Sequence, residues 1–349
     1  MNTENGVIKD ARSLGTPKML ILGLQHMFAM FGATILVPIL TGLDISTTLL
    51  MAGLGTLLFH CITKFKVPAF LGSSFAFLGG YAAIKAFSPN DPNSMLPYAC
   101  LGVACAGLIY FILAAVIKAV GIEKVMRFFP PVVTGPIIIA IGLGLAPSAV
   151  SNCTTNWFLA VVALAVIVVF NIWGKGMAKI IPIILGLLIS YGTGLVLYFI
   201  SQANPDLIQN VPWLFSGGAD ANGVYQPIFD FTSLNTICDN ISKGHIFGSE
   251  GLIGIPIHWD QTVFGGIDYS NGALIASSII AIVPIAFATM MEHIGDICAI
   301  SSTTGNNYIK DPGLHRTLVG DGLATTLASL FGGPANTTYG ENTGVLALT

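Results

Sequence analysis

Charged residues are scarce in this sequence. Asp, Glu, Lys and Arg make up 9% of the 349 residues, whereas hydrophobic residues make up 54%. A soluble domain normally carries about 25% charged residues. A chain with so little charge cannot cover a surface that faces water, which excludes an ordinary soluble protein. The composition therefore predicts that lipid surrounds most of the chain.

The six cysteines lack the paired spacing of a zinc or iron–sulfur site. Cys61, Cys100 and Cys105 lie in apolar runs, where a thiol behaves as a small hydrophobic side chain. Cys153 and Cys238 are both predicted outside the cell, so one disulfide is conceivable there, but no other feature supports it. We predict neither a metal site nor a cofactor.

Apolar runs of roughly 20 residues, the length that crosses a bilayer as a helix, recur along the chain. They predict an all-α polytopic membrane protein with nine or ten spans, the last one cut short by the end of the sequence. The predicted spans are 19–40, 47–63, 68–87, 97–118, 130–149, 157–173, 180–200, 272–296, 317–332 and one that starts near 335.

The distribution of basic residues predicts the orientation, because Lys and Arg collect in cytoplasmic loops. With a cytoplasmic N-terminus, 12 of the 14 basic residues fall inside, and Lys85 and Lys243 alone fall outside. The acidic segment from Ser201 to Ser270 is then an external loop. These features predict a multi-pass protein of the cell (inner or plasma) membrane.

Two predicted spans are interrupted by Pro, Gly and polar residues, at Val67–Gly80 and at Phe331–Gly344. Non-helical backbone at membrane depth is tolerated only where protein or a wet cavity satisfies its N–H and C=O groups. In transporters, such broken segments in corresponding halves point to the substrate site. We expect a short strand from each segment to pair with the other. The alternative is that both segments are Gly- and Pro-rich loops between short helices.

Three acidic residues are recognised inside the predicted spans or at their broken centres: Glu292, Asp296 and Glu341. An ionised carboxylate at a helix centre costs roughly 2.5–3.5 kcal/mol in a membrane, so it should face a cavity, pair or be protonated. Glu292 and Asp296 are four residues apart and share one helix face. Such a pair can bind and release a proton, as proton coupling requires; alternatively, one member is only a structural hydrogen-bonding group.

Two further polar residues, Gln25 and His26, lie in the first span. A lone buried histidine is more often structural than catalytic, so His26 is predicted to orient other groups, for example on the Glu292 face. His293 points about 100° away from Glu292 on a helix. No second cluster of His and Asp is recognised in a span, which argues against a membrane-embedded enzyme.

At these residues the sequence resembles the nucleobase–ascorbate transporter family, and within it the bacterial uracil permeases. The similar segments run through almost the whole chain in the same order. They are Gln25–Thr34, Leu71–Phe77, Phe129–Gly135, Glu292–Asp296, Asp311–Arg316 and Asn336–Asn342. The family signature begins here with Glu341-Asn342-Thr343-Gly344. Glutamate at its first position is similar to the uracil-type members, whereas xanthine-type members tend to have glutamine.

The resemblance implies a fourteen-helix fold of two inverted seven-helix repeats, in which a core domain carries substrate past a gate domain in an elevator-like motion. A homodimer is usual for this fold. The implied division is an N-terminal tail at 1–18, core helices at 19–128, gate helices at 129–200, an external loop at 201–271 and further core helices at 272–349. Helices 11–14 of the family would be absent from this sequence.

The resemblance also implies the residues of the site and their roles. The implied substrate-binding residues are Ser74, Phe75, Glu292, Tyr339, Gly340 and Glu341. The residues implied in proton coupling or orientation are Gln25, His26, Glu292 and Asp296. The substrate would be uracil, carried into the cell with a proton and without nucleic acid as a partner.

Two other carriers are weighed against uracil transport. A xanthine or other purine permease of the same family is favoured by Asp296 and disfavoured by Glu341. A carrier of inorganic anions with the same architecture is disfavoured, because a buried glutamate at the substrate position repels anions.

Overall fold

The computed structural model describes residues 15–121, 131–175, 182–220, 222–232 and 256–346, with positions 123–124, 127, 178 and 254 between these ranges. The described part is mostly helical. Four of its helical stretches are long and apolar enough to cross a membrane, Ile45–Ile62, Pro92–Val120, Leu185–Ala203 and Gly272–Thr304. The chain is therefore a helical, multi-pass membrane protein. Of the cysteines, Cys238 lies outside the described residues.

The chain divides into two compact units, residues 1–141 with 256–349, and residues 142–255. The first unit contains helices α1 (Thr16–Thr41), α2 (Ile45–Ile62), α3 (Leu78–Lys85) and α4 (Leu96–Val120), and strand β1 (Leu71–Ser73). The division falls inside helix α5 (Pro131–Cys153). Later in the first unit come α10 (Val263–Gly266), α11 (Gly272–Ile282), α12 (Ile285–Thr304), α13 (Leu314–Leu330), strand β4 (Asn336–Thr338) and α14 (Glu341–Leu346).

The second unit is built on a helix pair, α6 (Trp157–Trp173) and α7 (Pro182–Ala203), which pack against each other. Short helices α8 (Asp206–Asn210) and α9 (Pro212–Phe215) precede an antiparallel hairpin of β2 (Ser216–Ala219) and β3 (Tyr225–Pro227). Asn156 connects the hairpin to helix α6 of the pair. Its Oδ1 accepts from Leu159 N, and its Nδ2 donates to Ser216 O at 2.8 Å.

The helix ends of the first unit follow local capping rules. Asp44 caps the start of α2, where its Oδ1 accepts from the backbone N–H of Thr47 at 2.6 Å. Helix α1 ends at Thr41, and the next residue, Gly42, has a φ of 84°, the left-handed conformation that glycine adopts freely. Lys85 Nζ donates to Thr41 O at 2.9 Å, which satisfies a carbonyl at that end of α1.

Close helix packing forms the centre of the first unit. Helices α4 and α13 meet through facing glycines, where a Cβ on Gly322 would lie 2.6 Å from the Gly107 carbonyl oxygen. Thr326 Oγ1 donates to Ala104 O at 3.1 Å in the same interface. Small residues that let backbones approach closely are typical of helix packing in membranes.

The predicted pairing between the two broken segments is confirmed. Strands β1 and β4 are antiparallel, with Leu71 opposite Thr338 and Ser73 opposite Asn336. Two backbone hydrogen bonds extend the pairing beyond the strands, from Ser74 N to Ala335 O at 2.9 Å and from Tyr339 N to Phe70 O at 3.0 Å. The alternative of plain loops is thus wrong for both segments.

One predicted span differs from the structure. The run 272–296 belongs to a longer helical stretch, Gly272–Thr304, in which Val283 and Pro284 separate α11 from α12 while keeping helical φ and ψ. Proline lacks the N–H that would continue the first helix and suits the start of the second. As a result, Glu292 and Asp296 lie in the middle of α12, well before its end at Thr304.

An ion pair between Lys66 and Asp311 connects the loop after α2 to the turn before α13, with Nζ 2.7 Å from Oδ1. Both side chains are well exposed, by 44% and 69%. Exposed ion pairs contribute about 0–1 kcal/mol. We expect Lys66→Gln, Asp311→Asn and the double variant to unfold within a few degrees of the parent in a thermal denaturation series. A loss of 10 °C or more in either single variant would contradict this expectation.

Candidate functional site

The paired strands lie where several helices of the first unit meet. Helix α1 contacts β1 and α14, and helix α12 contacts β4 and α14. The 3₁₀ turn Phe75–Phe77, which follows β1, also contacts α12. Broken segments that meet at membrane depth mark the substrate site in transporters, so this crossing is the candidate binding site.

Asp296 and Gly340, both predicted site residues, are brought together. A Cβ placed on Gly340 would lie 3.0 Å from Asp296 Oδ1. The other carboxylate oxygen, Oδ2, accepts from Thr338 Oγ1 at 3.2 Å. Glu292 lies one helical turn before Asp296, and both carboxylates are partly buried. The structure therefore places Asp296 at the start of α14, with Glu292 one turn earlier on α12.

Ser74 and Phe75 lie at the end of the other strand. Ser74 is buried, and its Oγ accepts from Ala76 N at 3.4 Å, which caps the 3₁₀ turn. Phe75 is the first residue of that turn and is partly buried. Their proposed contacts with substrate stay predictions, but the turn that carries Phe75 packs against the helix that carries Glu292.

Tyr339 stabilises the strand crossing, which is the antiparallel pair of β1 and β4. Its hydroxyl donates to Ser73 O at 2.8 Å and accepts from Thr34 Oγ1 at 3.3 Å. Its ring covers Gly72, where a Cβ would lie 2.5 Å from a ring carbon. Ser73 Oγ in turn donates to Thr34 O at 3.0 Å. Tyr339 thus connects both strands to α1, and a role toward substrate stays a prediction.

The remaining predicted residues are Gln25 and His26 on α1 and Glu341 at the start of α14. His26 stacks on Phe70, with ring centroids 5.7 Å apart and planes 14° apart, so it supports the start of β1. Within the described residues its Nδ1 is buried without a hydrogen-bond partner. The side chains of Gln25 and Glu341 lie outside what the structure describes, although the backbone of Glu341 begins α14.

A buried acid that sequence analysis missed is Asp321 on α13, which is 0% exposed. Its Oδ1 accepts from the backbone N–H of Thr338 at 3.0 Å and lies 3.5 Å from His293 Nδ1. His293 Nδ1 is also 3.1 Å from Thr338 Oγ1. The sequence does contain a signal for this residue, because Asp321 is an acid inside the predicted span 317–332. The inference that Glu292, Asp296 and Glu341 are the acids inside the spans is therefore wrong, because Asp321 is a fourth.

The buried side chains of His293 and Asp321 contact strand β4 and do not line an exposed cleft. The backbone N–H of Thr338 is engaged by Asp321, and its hydroxyl is engaged by His293 and Asp296. A chain of polar contacts therefore runs from Asp321 and His293 through β4 to Asp296 beside Gly340. Buried networks of this kind stabilise one arrangement only when their members are satisfied.

Comparison with known proteins identifies the family. A family model described as a permease family matches residues 17–349. The uracil permease of Bacillus caldolyticus is 38% identical over 353 residues, which cover 98% of this chain and 68% of that protein. The uracil permease of Bacillus subtilis (strain 168) is 37% identical and covers 97% of this chain and 69% of its own length.

A third relative, the putative pyrimidine permease RutG of Escherichia coli (strain K12), is 34% identical over 100% of this chain and 69% of its own length. The matches span the paired strands, α12 and α13 alike. On this similarity, the chain belongs to the permease family of the nucleobase–ascorbate transporters.

Proposed function

We propose that this protein takes up uracil across the cell membrane together with a proton. The observation that carries the proposal is the pairing of β1 with β4, which sets Asp296 against Gly340 beside Glu292. The names of its relatives, which are uracil permeases at 37–38% identity, support the choice of substrate. The N-terminus is proposed to be cytoplasmic, as the basic residues predict.

The chemistry of uracil suits such a site. Its ring edge alternates N–H donors with carbonyl acceptors in one plane. A carboxylate accepts from a ring N–H, and backbone N–H groups donate to ring carbonyls. In this proposal Glu292 accepts from the ring, the Gly340 backbone and Glu341 bind another edge, and Phe75 stacks on the base.

The proton compensates the charge of the carboxylates. Glu292 and Asp296 lie one turn apart in a partly buried setting, and two ionised carboxylates at that spacing repel each other. Binding of one external proton relieves this repulsion, and its release inside completes the cycle. An elevator-type movement, a homodimer and the absence of any cofactor besides the proton belong to the same proposal.

A xanthine or other purine permease is the second candidate, because Asp296 resembles the residue of the purine-type members. A larger bicyclic base needs more room beside Gly340 than a pyrimidine does. Competition between the two bases therefore separates the candidates.

The test is uptake of labelled uracil by cells that lack their own uracil transport and express the protein from its complete gene. Uptake is expected to be several-fold faster at about pH 5.5 than at about pH 8, because protons drive it. A protonophore should abolish the difference, and excess unlabelled xanthine should leave uptake unchanged. Equal rates at both pH values would contradict proton coupling, and full competition by xanthine would favour the purine candidate.

A further inference from the structure

Three basic side chains, which we call the basic cluster, lie where helix α4 ends and helix α13 begins. Lys118 is in the last turn of α4 and is exposed. His315 and Arg316 are in the first turn of α13 and are partly exposed. The charges of Arg316 and Lys118 both act on the His315 ring, so both lie within electrostatic range of it. The proposed function gives these side chains no role.

The packing of α4 against α13 brings the basic cluster together. The two helices are antiparallel, because Gly107 faces Gly322 while the Ala104 carbonyl accepts from Thr326 Oγ1 at 3.1 Å. Residues further along α4 therefore lie opposite residues earlier in α13. Continued for about three turns, this register places the end of α4 beside the start of α13.

The basic cluster is not neutralised by its surroundings. In the part of the chain that the structure describes, the ion pairs include neither Lys118 nor Arg316. The acid that most closely precedes Arg316 in sequence, Asp311, is held by Lys66, with Nζ 2.7 Å from Oδ1. The short segment after α4 has one exposed acid and two exposed basic residues, Glu123, Lys124 and Arg127. This end of α4 is therefore positively charged and available to an external anion.

An apolar groove on α4 leads to the basic cluster. It is lined by Phe111, Ile112, Ala115, Val116, Ala119 and Val120. Lys118 follows Phe111 by seven residues and Ala115 by three, so it lies on the same helix face. The small side chains of Ala115 and Ala119 leave the groove open between larger neighbours. Leu108, which is also exposed, continues the apolar face one turn further from Lys118.

The length of this apolar face matches one leaflet of a bilayer. The helix from Leu108 to Lys118 rises by about 15 Å, at 1.5 Å per residue. The hydrocarbon core of a bilayer is about 30 Å thick, so one leaflet contributes about 15 Å. With a cytoplasmic N-terminus, the end of α4 faces the cytoplasm, where membranes present anionic lipids. A phospholipid therefore suits both the groove and the charge beside it.

We propose that the basic cluster and the groove together bind one anionic phospholipid of the cytoplasmic leaflet. The inference rests on the cytoplasmic N-terminus of the proposed function. The lipid phosphate accepts two hydrogen bonds from the Arg316 guanidinium, and others from Lys118 Nζ and an N–H of His315. One acyl chain lies along Ala115 and Ala119. Because the phosphate contacts both helices, the lipid holds the end of α4 against the start of α13.

The test is thermal unfolding of the delipidated protein, purified from its complete gene, in neutral-detergent micelles with increasing phosphatidylglycerol. We expect a saturable rise in the unfolding temperature, and a much smaller rise with phosphatidylcholine. Lys118→Gln and Arg316→Gln should each raise the phosphatidylglycerol needed for half the effect by about fivefold, because each removes one charge from the phosphate site. Lys175→Gln, the same change at another exposed residue predicted to be cytoplasmic, should leave this midpoint within about twofold.

A second pair of variants tests the groove. Ala115→Phe fills the groove and keeps all three basic side chains, so we expect it to weaken the effect of phosphatidylglycerol about as much as the loss of one charge. Both this position and Ala165 on α6 are exposed. Ala165→Phe is therefore the matched control, and it should leave the phosphatidylglycerol midpoint unchanged.

Several results would overturn the proposal. Equal shifts with phosphatidylglycerol and phosphatidylcholine, or unchanged midpoints in Lys118→Gln and Arg316→Gln, would show that the basic cluster does not bind the headgroup. An equal shift with inorganic phosphate, or an unchanged midpoint in Ala115→Phe, would show that the groove holds no acyl chain. No shift at all would show that another part of the protein covers the groove. None of these measurements uses transport, so a parent that takes up no uracil contradicts the proposed function alone.

Discussion

Replacement of Glu292 by Gln is expected to reduce uracil uptake by about 10- to 100-fold at every pH. Glutamine keeps the size of the side chain, but it presents an N–H₂ group where the proposed site needs an acceptor, and it cannot take up a proton. Hydrogen bonds to charged groups contribute about 1.5–3 kcal/mol, which corresponds to roughly 10- to 150-fold in affinity. The measurement is the initial rate of labelled uracil uptake, normalised to the amount of protein in the membrane.

The control for this substitution is the same chemical change at Glu123, which is exposed. Glu123→Gln should leave uptake unchanged, because water already satisfies that carboxylate. Uptake by Glu292→Gln within twofold of the parent, with its acid stimulation intact, would remove Glu292 from the proposed site. The same result would transfer the role of proton acceptor to another carboxylate.

Replacement of Gly55 by Ala is expected to destabilise the strand crossing strongly and to abolish uptake. The added Cβ would overlap the Asn336 side-chain amide and lie 3.1 Å from the Ala324 Cβ. Asn336 Nδ2 donates to Met51 O at 3.0 Å, so the overlap breaks a bond between α2 and β4. Overpacking and the loss of a buried hydrogen bond each cost about 1–3 kcal/mol. The measurement is the thermal unfolding of the purified protein.

Gly53 supplies the control in the same helix. A Cβ on Gly53 meets nothing within 4 Å, so Gly53→Ala changes helix propensity without changing packing. We expect its unfolding temperature to equal or exceed that of the parent. Equal unfolding temperatures for Gly55→Ala and Gly53→Ala would show that the Asn336 side chain can move aside without loss.

Features that depend on local composition are predicted well by this sequence. Helix α2, for example, is predicted at 47–63 and observed at Ile45–Ile62, because a long apolar run forms most of it. The strands are predictable for a related reason. Pro68 and Pro334 each end a helical pattern, and the small residues that follow leave room for a crossing at membrane depth. Together with the rule that corresponding broken segments of transporters meet at the substrate site, these two patterns predict the pairing of β1 with β4.

Features that depend on single residues or on distant contacts are harder to predict from the sequence. A window of 20 residues averages out one proline, so the break at Pro284 is lost inside the run 272–296. Asp321 is hidden in the same way among Gly320, Gly322 and the following apolar residues. Its partners come from 17 and 28 positions away in the chain, Thr338 and His293, and no local pattern joins them.

The strand crossing has a consequence for how the protein is made. Strand β1 is complete at Ser73, but its partner begins about 260 residues later, at Asn336. At about 5–20 residues per second, the ribosome needs on the order of 15–50 s to supply that partner. During this interval the N–H and C=O groups of β1 cannot face lipid. The first helices must therefore wait within the insertion machinery, or beside water, until the second broken segment emerges.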